Sequence, residues 1–390
     1  MGGDIREIKI KLPDRINDII KKLNEHSYKA HIAGKCVRGI ITGFAVDFDI
    51  ITNAPVERIL NIFKGYQIND ENLIKGELII YSGTMSVLVT PYRKGFDNDG
   101  LSIYTDSIFD DLGNRDFTFN AIAFNEDEGF VDPFHGLSCL EGEMKIIKAI
   151  CKDVFFINPL SILTALELYS SDEQYVIAEK TKEWIFECAD NIFKDYKNTE
   201  SSAYDFTGAF NRVIGGKQIS AVLSEYKNVF ISIIPEFKMI DNVEQHRSEH
   251  YYDMLTHTIK SVGFAPPVLS VRYALLFHSL GKPDCFSLDK NGCGQYGGHA
   301  ERSKIYAARI MRRLGFNEGL IDEVSFLIKH HDDKISIELS ALKERLKIMS
   351  KEQTIKLLQF KYADMRAMSP EFEGAAMKYK KIADLVKTEI

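Results

Sequence analysis

Residues 32–52 read IAGKCVRGIITGFAVDFDIIT, and the order of residue types along this stretch decides the fold class. Lys29–Ala33 reads as a short strand that Gly34 breaks, Cys36–Thr42 as a helical turn or two, and Val46–Thr52 as a second strand. A glycine lets the backbone turn tightly, and free N–H groups at a helix start attract phosphate. Arg38, one turn in, is placed to add charge-assisted bonds to the same phosphates. In the second strand Asp47 and Asp49 flank Phe48. Residues i and i+2 of a strand share a face, so both carboxylates project together. Two such like charges call for a cation, and hard oxygen ligands suit Mg²⁺, commonly held by one or two carboxylates plus substrate phosphates.

Outward from this stretch the chain mixes helix and strand signals up to about residue 150. Apolar residues at Ile16, Ile19, Ile20 and Leu23, with Pro13 ahead of them, predict a helix over 13–23. Pro55–Phe63 predicts another, with Asn53 as its N-cap. Residues 77–92 predict two strands around Ser82-Gly83, and 117–132 a further strand pair turning at Glu126–Gly129. Arg115-Asp116-Phe117-Thr118-Phe119-Asn120 brings a second arginine and an asparagine beside that pair. Two carboxylates for metal, a glycine turn and two arginines together make a nucleoside-triphosphate site. Phosphoryl-type transfer needs little beyond positioning and charge neutralisation, which these parts supply.

Past residue 150 strand signals almost vanish, and amphipathic helices such as 204–214, 301–314 and 319–331 alternate with short turns. A mixed-sheet α+β head followed by an all-helical body is the expected architecture. Gly215-Gly216-Lys217 lacks the preceding strand and the spacing of a phosphate loop and reads as a helix terminus.

With 390 residues the chain has room for two to four domains. No apolar run approaches the ~18 residues of a membrane-spanning helix, and the start carries no apolar signal segment. Six cysteines without a C-x-x-C pair exclude a zinc ribbon and a disulfide scaffold. The expected location is therefore the cytoplasm. The net charge of −7 argues against nonspecific coating of nucleic acid. Residues 341–390 are nevertheless net +4, which directs any phosphate-backbone contact toward that end.

The stretches IAGKCVRG, VDFDIITNAP, LGNRDFTFNAIAFN and VDPFHG resemble the class II tRNA nucleotidyltransferases, the CCA-adding enzymes, and the related bacterial poly(A) polymerases, whose pattern is GGxVRD, DxD, then RRDFTxNA. YYDMLTHTIKSV, LLFHSLGKPDCF, GGHAERS and KLLQFKYADMRAMSP are similar to HD-containing members of clostridial type, so the likeness runs through the whole chain. The resemblance implies a polymerase-beta-like nucleotidyltransferase head over 1–150 and a helical connecting domain over 151–242. An HD-like helical bundle over 243–335 and a basic helical segment over 336–390 would follow. It implies that Asp47 and Asp49 bind catalytic Mg²⁺ and that Gly34, Lys35, Arg38, Arg115, Asp116 and Asn120 bind the nucleotide. CTP or ATP would be the donor, the tRNA 3′ end the acceptor, and pyrophosphate the leaving group.

The departures from the family pattern matter too. Lys35, Gly39 and Asn114 stand where the family has Gly, Asp and Arg. In the family's templating helix, approximately EDPLRxLRAxRF, Asn158 and Ser161 occupy the base-selecting positions, and neither presents the bidentate fork of arginine. Either relaxed choice among nucleotides or selection by another surface, such as the residues around Lys152–Phe156, is the expectation. HD phosphohydrolases bind metal through a His, an adjacent His-Asp pair and a distant Asp. Here His257, His278 and Asp332 are the candidates, with His299, His330 and His331 nearby, and the pair reads His278-Ser279. Two alternatives follow from these changes: a non-polymerising nucleotide- or RNA-binding paralogue, and an HD-type phosphohydrolase.

Overall fold

Ile16, Ile19, Ile20 and Leu23 fall on one stripe of helix α1 (Asp14–Glu25), and all four are buried. Each such side chain contributes about 1.5–3 kcal/mol when taken from water. The computed structural model describes residues 10–43, 47–97, 101–193, 200–246, 251–336 and 338–389. After α1 come β1 (Ala30–Ala33), α2 (Lys35–Thr42), β2 (Phe48–Thr52), α3 (Val56–Ile62), β3 (Gln67–Asn69), β4 (Leu78–Ser82) and β5 (Met85–Pro91). They are followed by β6 (Arg93–Phe96), β7 (Ser102–Tyr104), α4 (Ile108–Gly113), β8 (Ala123–Asn125), β9 (Gly129–Val131) and β10 (Lys145–Ile147). Seven of the strands form one sheet in the order β3-β4-β5-β2-β1-β8-β9. Among the described residues its only parallel pair is β2 with β5, registered through Asp49↔Leu88, so the sheet is mixed as expected. Ala33, Ile51, Tyr92, Leu112, Ala121 and Ala123 form a core cluster against this sheet.

Three local expectations are corrected. Asn53 does not cap α3, whose N-cap is Pro55 without a side-chain bond. Instead Asn53 Oδ1 accepts the Lys29 N–H at 2.8 Å and ties the end of β2 to the start of β1. Residues Thr118–Asn120 form a 3-10 turn, so the strand pair begins only at Ala123. Strand signals also persist past 150: after α5 (Val154–Ile157) and α6 (Leu160–Ser171), β11 (Tyr175–Ile177) runs parallel to β10. A three-residue strand is too short to leave a periodic signature in sequence.

The chain divides into two compact units, Met1–Ser161 with Gln174–Trp184, and Ile162–Glu173 with Ile185–Ile390. The second is largely helical. From α7 (Glu179–Cys188) it continues with α8 (Glu200–Gly215), α9 (Ile219–Glu225), α10 (Lys227–Ile233), α11 (Met254–Phe264) and α12 (Leu269–Phe277). A small hairpin, β12 (Ser287–Leu288) with β13 (Gly294–Gln295), precedes α13 (His299–Arg313) and α14 (Glu318–His330). The last helices are α15 (Leu339–Ile348), α16 (Lys351–Met368) and α17 (Glu373–Glu389). Helix α12 is its centre, buried from Ser270 to Phe277. Its Arg272 guanidinium donates to the carbonyls of Ile214, Gly216, Ala265 and Pro266, satisfying the ends of α8 and α11. Gly216 lies just past the end of α8, as read from the sequence, and a Cβ there would stand 2.5 Å from the Ser170 carbonyl oxygen. No helix among the described residues is long and apolar enough to cross a membrane.

Candidate nucleotide site

Between β1 and α2 the chain turns at Gly34 with φ of +80°, a conformation that side chains disfavour. A Cβ at this position would also come 2.7 Å from Nη1 of Arg115. The missing side chain is the space in which that guanidinium lies. Arg115 is aimed from below by Asp111, whose Oδ1 accepts from Nη2 at 3.0 Å and whose Oδ2 accepts the Arg93 N–H at 3.0 Å. Asp111 is 4% exposed, and these two donors satisfy its buried oxygens. Sequence reasoning overlooked Asp111, although an acid four residues before Arg115 at the end of a helix was the available signal.

A second chain of bonds fixes the other side. Arg38 Nη1 donates to Asn120 Oδ1 at 2.9 Å, and Asn120 Nδ2 donates to Asp116 Oδ1 at 2.7 Å. The Phe117 N–H donates to the same oxygen at 2.8 Å, which holds the 3-10 turn in place. The Arg38 guanidinium also lies 5.2 Å from the centre of the Phe119 ring. Both arginines are thus pre-positioned by partners of opposite or complementary polarity.

On β2 Phe48 is buried in the core and Asp49 half-buried, while Asp47, just ahead of the strand, is exposed. Burial raises the Asp49 carboxyl above its ordinary range, the Arg115 and Lys35 cations work against that rise, and Asp47 adds to it. No hydrogen bond or ion pair engages this carboxylate among the described residues. A hard, anionic oxygen donor on the rim of a cavity, paired with Asp47 two residues away, fits a divalent cation such as Mg²⁺. Beneath it, burial pushes the Cys36 thiol up to about 11, and that thiol donates to the Ala33 carbonyl. Cys36 is a packing residue.

A cavity of about 660 Å³ joins these parts. Lys35, Asp49, Arg115, Asp116 and Asn120 line it, and so do Asn158 and Ser161. Gly34, Arg38 and Asp47 do not line it: Gly34 makes room for Arg115, Arg38 is tied to Asn120, and Asp47 lies just ahead of β2. The Ser161 hydroxyl is buried with no hydrogen-bond partner, whereas Asn158 is exposed. A cavity with cations, a carboxylate and unspent polar groups is suited to a phosphorylated, base-bearing ligand.

The helical unit corrects the second sequence candidate. Asp332 does not join His257 and His278; the carboxylate between them is Asp364 of α16, 2.9 Å from His257 Nε2 and 3.3 Å from His278 Nε2. Asp332 instead lies with His299 and His331, and His330 turns away to Asp333. The Asp364 partnership spans about a hundred residues of chain, so no local pattern announces it.

Residues 30–146 match the poly A polymerase head domain family. Among curated proteins, the CCA-adding enzyme of Geobacillus sp. (strain WCH70) is 24% identical over 66% of this chain and 64% of its own length. That of Lactobacillus delbrueckii subsp. bulgaricus is 28% identical over 43% of each. These alignments therefore span from about two fifths to just under two thirds of the relatives' length. Among solved structures, the Bacillus stearothermophilus CCA-adding enzyme in complex with CTP superposes with a TM-score of 0.64 at 20% identity, covering 95% of this chain and 83% of that one. The Thermotoga maritima CCA-adding enzyme complexed with tRNA gives 0.61 at 15% identity, over 98% and 85%. At these identities the structural likeness establishes the fold: a mixed-sheet head and a largely helical body. Residues 30–146 are thus similar in sequence to the poly A polymerase head domain, and the chain shares the fold of the solved CCA-adding enzymes.

Proposed function

We propose that the protein transfers nucleotides from a nucleoside triphosphate to the 3′ end of tRNA, without a template, with Mg²⁺ as its cofactor. The observation that carries this reading is the single cavity in which Asp49, Lys35, Arg115, Asp116 and Asn120 converge. The relatives named CCA-adding enzymes, and the solved homologue complexed with tRNA, support the acceptor.

Asp47 and Asp49 would hold Mg²⁺, which would supply neutralisation of phosphate charge and polarisation of the α-phosphate. Lys35 and Arg115 draw the triphosphate into the cavity, and Arg38 acts through Asn120 and Asp116 to keep their geometry. The terminal ribose 3′-oxygen forms a bond to the α-phosphorus, the bond from that phosphorus to the bridging oxygen of the β-phosphate breaks, and pyrophosphate leaves. The hydroxyl proton passes to a carboxylate of the Asp47/Asp49 pair and from there to water. This arrangement works by positioning and charge stabilisation, the two main contributions in phosphoryl transfer.

Base choice falls to Asn158 and Ser161. Their short neutral groups forgo bidentate contact with a base edge, at a cost of about 1–3 kcal/mol of discrimination per lost pair. Incubating the purified full chain with tRNA lacking its CCA end, Mg²⁺ and each labelled triphosphate singly tests both points. Extension is expected, with C and A preferred over U and G by less than a fixed arginine-carboxylate template would impose. Extension should disappear in Asp47→Ala. Nucleotide binding without extension by the unmodified protein overturns the transferase reading.

A further inference from the structure

Among the described residues of the second unit four imidazoles are buried, and their hydrogen bonds sort them into two unlike groups. His278 Nδ1 lies 2.6 Å from the Leu275 carbonyl oxygen, His299 Nδ1 2.8 Å from that of Tyr296, and His331 Nδ1 2.6 Å from that of Ile328. A carbonyl oxygen only accepts, so each of these Nδ1 atoms carries the ring proton and each Nε2 presents a lone pair. Locking Nδ1–H onto a backbone carbonyl is the outer-shell arrangement that orients a metal-binding histidine.

In the group around Asp364, protons are available to meet the lone pairs. His257 Nδ1 lies 3.3 Å from the Ala367 carbonyl oxygen and its Nε2 2.9 Å from Asp364 Oδ1; the shorter contact, to a carboxylate, takes the ring proton, and the Ser279 hydroxyl, 3.0 Å from His278 Nε2, supplies one there. Serine at this position therefore replaces a carboxylate ligand with a donor, and the group closes on itself. The other group has no such donor. His299 Nε2 and His331 Nε2 face each other at 3.1 Å, lone pair to lone pair, with Asp332 Oδ2 3.6 Å from the first and Oδ1 3.4 Å from the second. Both rings are at least nine-tenths buried. Three acceptors converging without a proton between them repel one another unless a cation sits at their centre.

The dimensions suit one. Ligand atoms about 2.1 Å from a tetrahedral ion stand about 3.4 Å apart. The separations here, 3.1, 3.4 and 3.6 Å, bracket that value. Two imidazoles and one carboxylate select a first-row transition ion of the zinc class over Mg²⁺. His299, His331 and Asp332 line a cavity of about 380 Å³ together with Lys282, His278 and Asp364.

We infer that His299 Nε2, His331 Nε2 and Asp332 bind a single divalent transition-metal ion, and that the His257/His278/Asp364 group binds none. The inference is independent of the nucleotide-transfer reading. It is tested on the full chain carrying Asp47→Ala and Asp49→Ala, which removes the head carboxylates from the measurement. Metal is stripped by a chelator, and Zn²⁺ is titrated by calorimetry; Co²⁺ is added in parallel and followed by its visible absorption. One ion per chain with tetrahedral Co²⁺ bands is expected. His257→Asn should keep that stoichiometry, while His331→Asn and Asp332→Asn should weaken binding by about 100-fold or more. Asp332 is exposed, so Asp332→Asn leaves the fold intact and decides the case even if His331→Asn does not fold. Metal-free circular dichroism monitors folding. Absence of saturable binding, binding that survives Asp332→Asn, or binding lost in His257→Asn overturns the inference.

Discussion

Gly34 is the residue at which backbone geometry and chemistry meet. Its backbone, with φ of +80° and ψ of −132°, lies where residues with a Cβ are strained by about 1–3 kcal/mol, and the added carbon would also displace the Arg115 guanidinium. Gly34→Ala should therefore lower the melting temperature and raise the KM for the triphosphate about tenfold, both visible in thermal melts and incorporation kinetics. Asp49 gives the opposite sign of stability. Because burial holds its carboxyl above the ordinary range, the folded protein retains a proton that the unfolded chain releases. Its contribution to stability therefore falls as pH rises through that window. Asp49→Asn removes this loss: the metal-free protein should melt higher at neutral pH while incorporation drops by about 10³-fold or more. Equal melting temperatures for the two proteins, at both acid and neutral pH, would show that the buried charge carries no such cost.

At the scale of elements, Arg272 shows how one side chain can close two helix ends. Four carbonyls accept from it, and burial lowers its guanidinium to about 10. Arg272→Ala leaves those carbonyls without their donor, so a loss of about 3–5 kcal/mol is expected in denaturant titration. Such pairings also mark the boundary of what the sequence tells. Helix α1 and the β4/β5 hairpin were legible because their signals are local: one apolar stripe, and one Ser82-Gly83 turn. Asp49 was legible because strand alternation is local as well, with Phe48 buried beside it on β2. The failures came where a side chain chose a distant partner. Asn53 had the chemistry of a cap but bonds to Lys29, and Asp364 reaches His257 from α16. Strand β11 was missed because three residues gain their meaning only beside β10. In the cavity of the head Asp49 and Arg115 were readable by type, whereas Asp111, which aims Arg115, becomes evident only in three dimensions.

At the scale of the whole molecule, charge is uneven: −7 overall, with a net +4 over residues 341–390. The sheet is just as uneven in how it places its chemistry. β2, the strand that carries Asp49, is the fourth of seven and pairs with β1 on one side and β5 on the other. Its backbone amides can reach solvent only when the interior of the unit separates, unlike those of the outermost strands β3 and β9. Deuterium uptake at Ile50 and Ile51 should accordingly track the cooperative opening of the first unit, with β3 and β9 labelling earlier. Rapid labelling of β2 under native conditions would contradict this. The Asp49 carboxylate thus sits in what should be the slowest-exchanging part of its unit. Thermal inactivation should coincide with the unfolding of that unit and not precede it, which makes residual activity a direct gauge of the folded fraction.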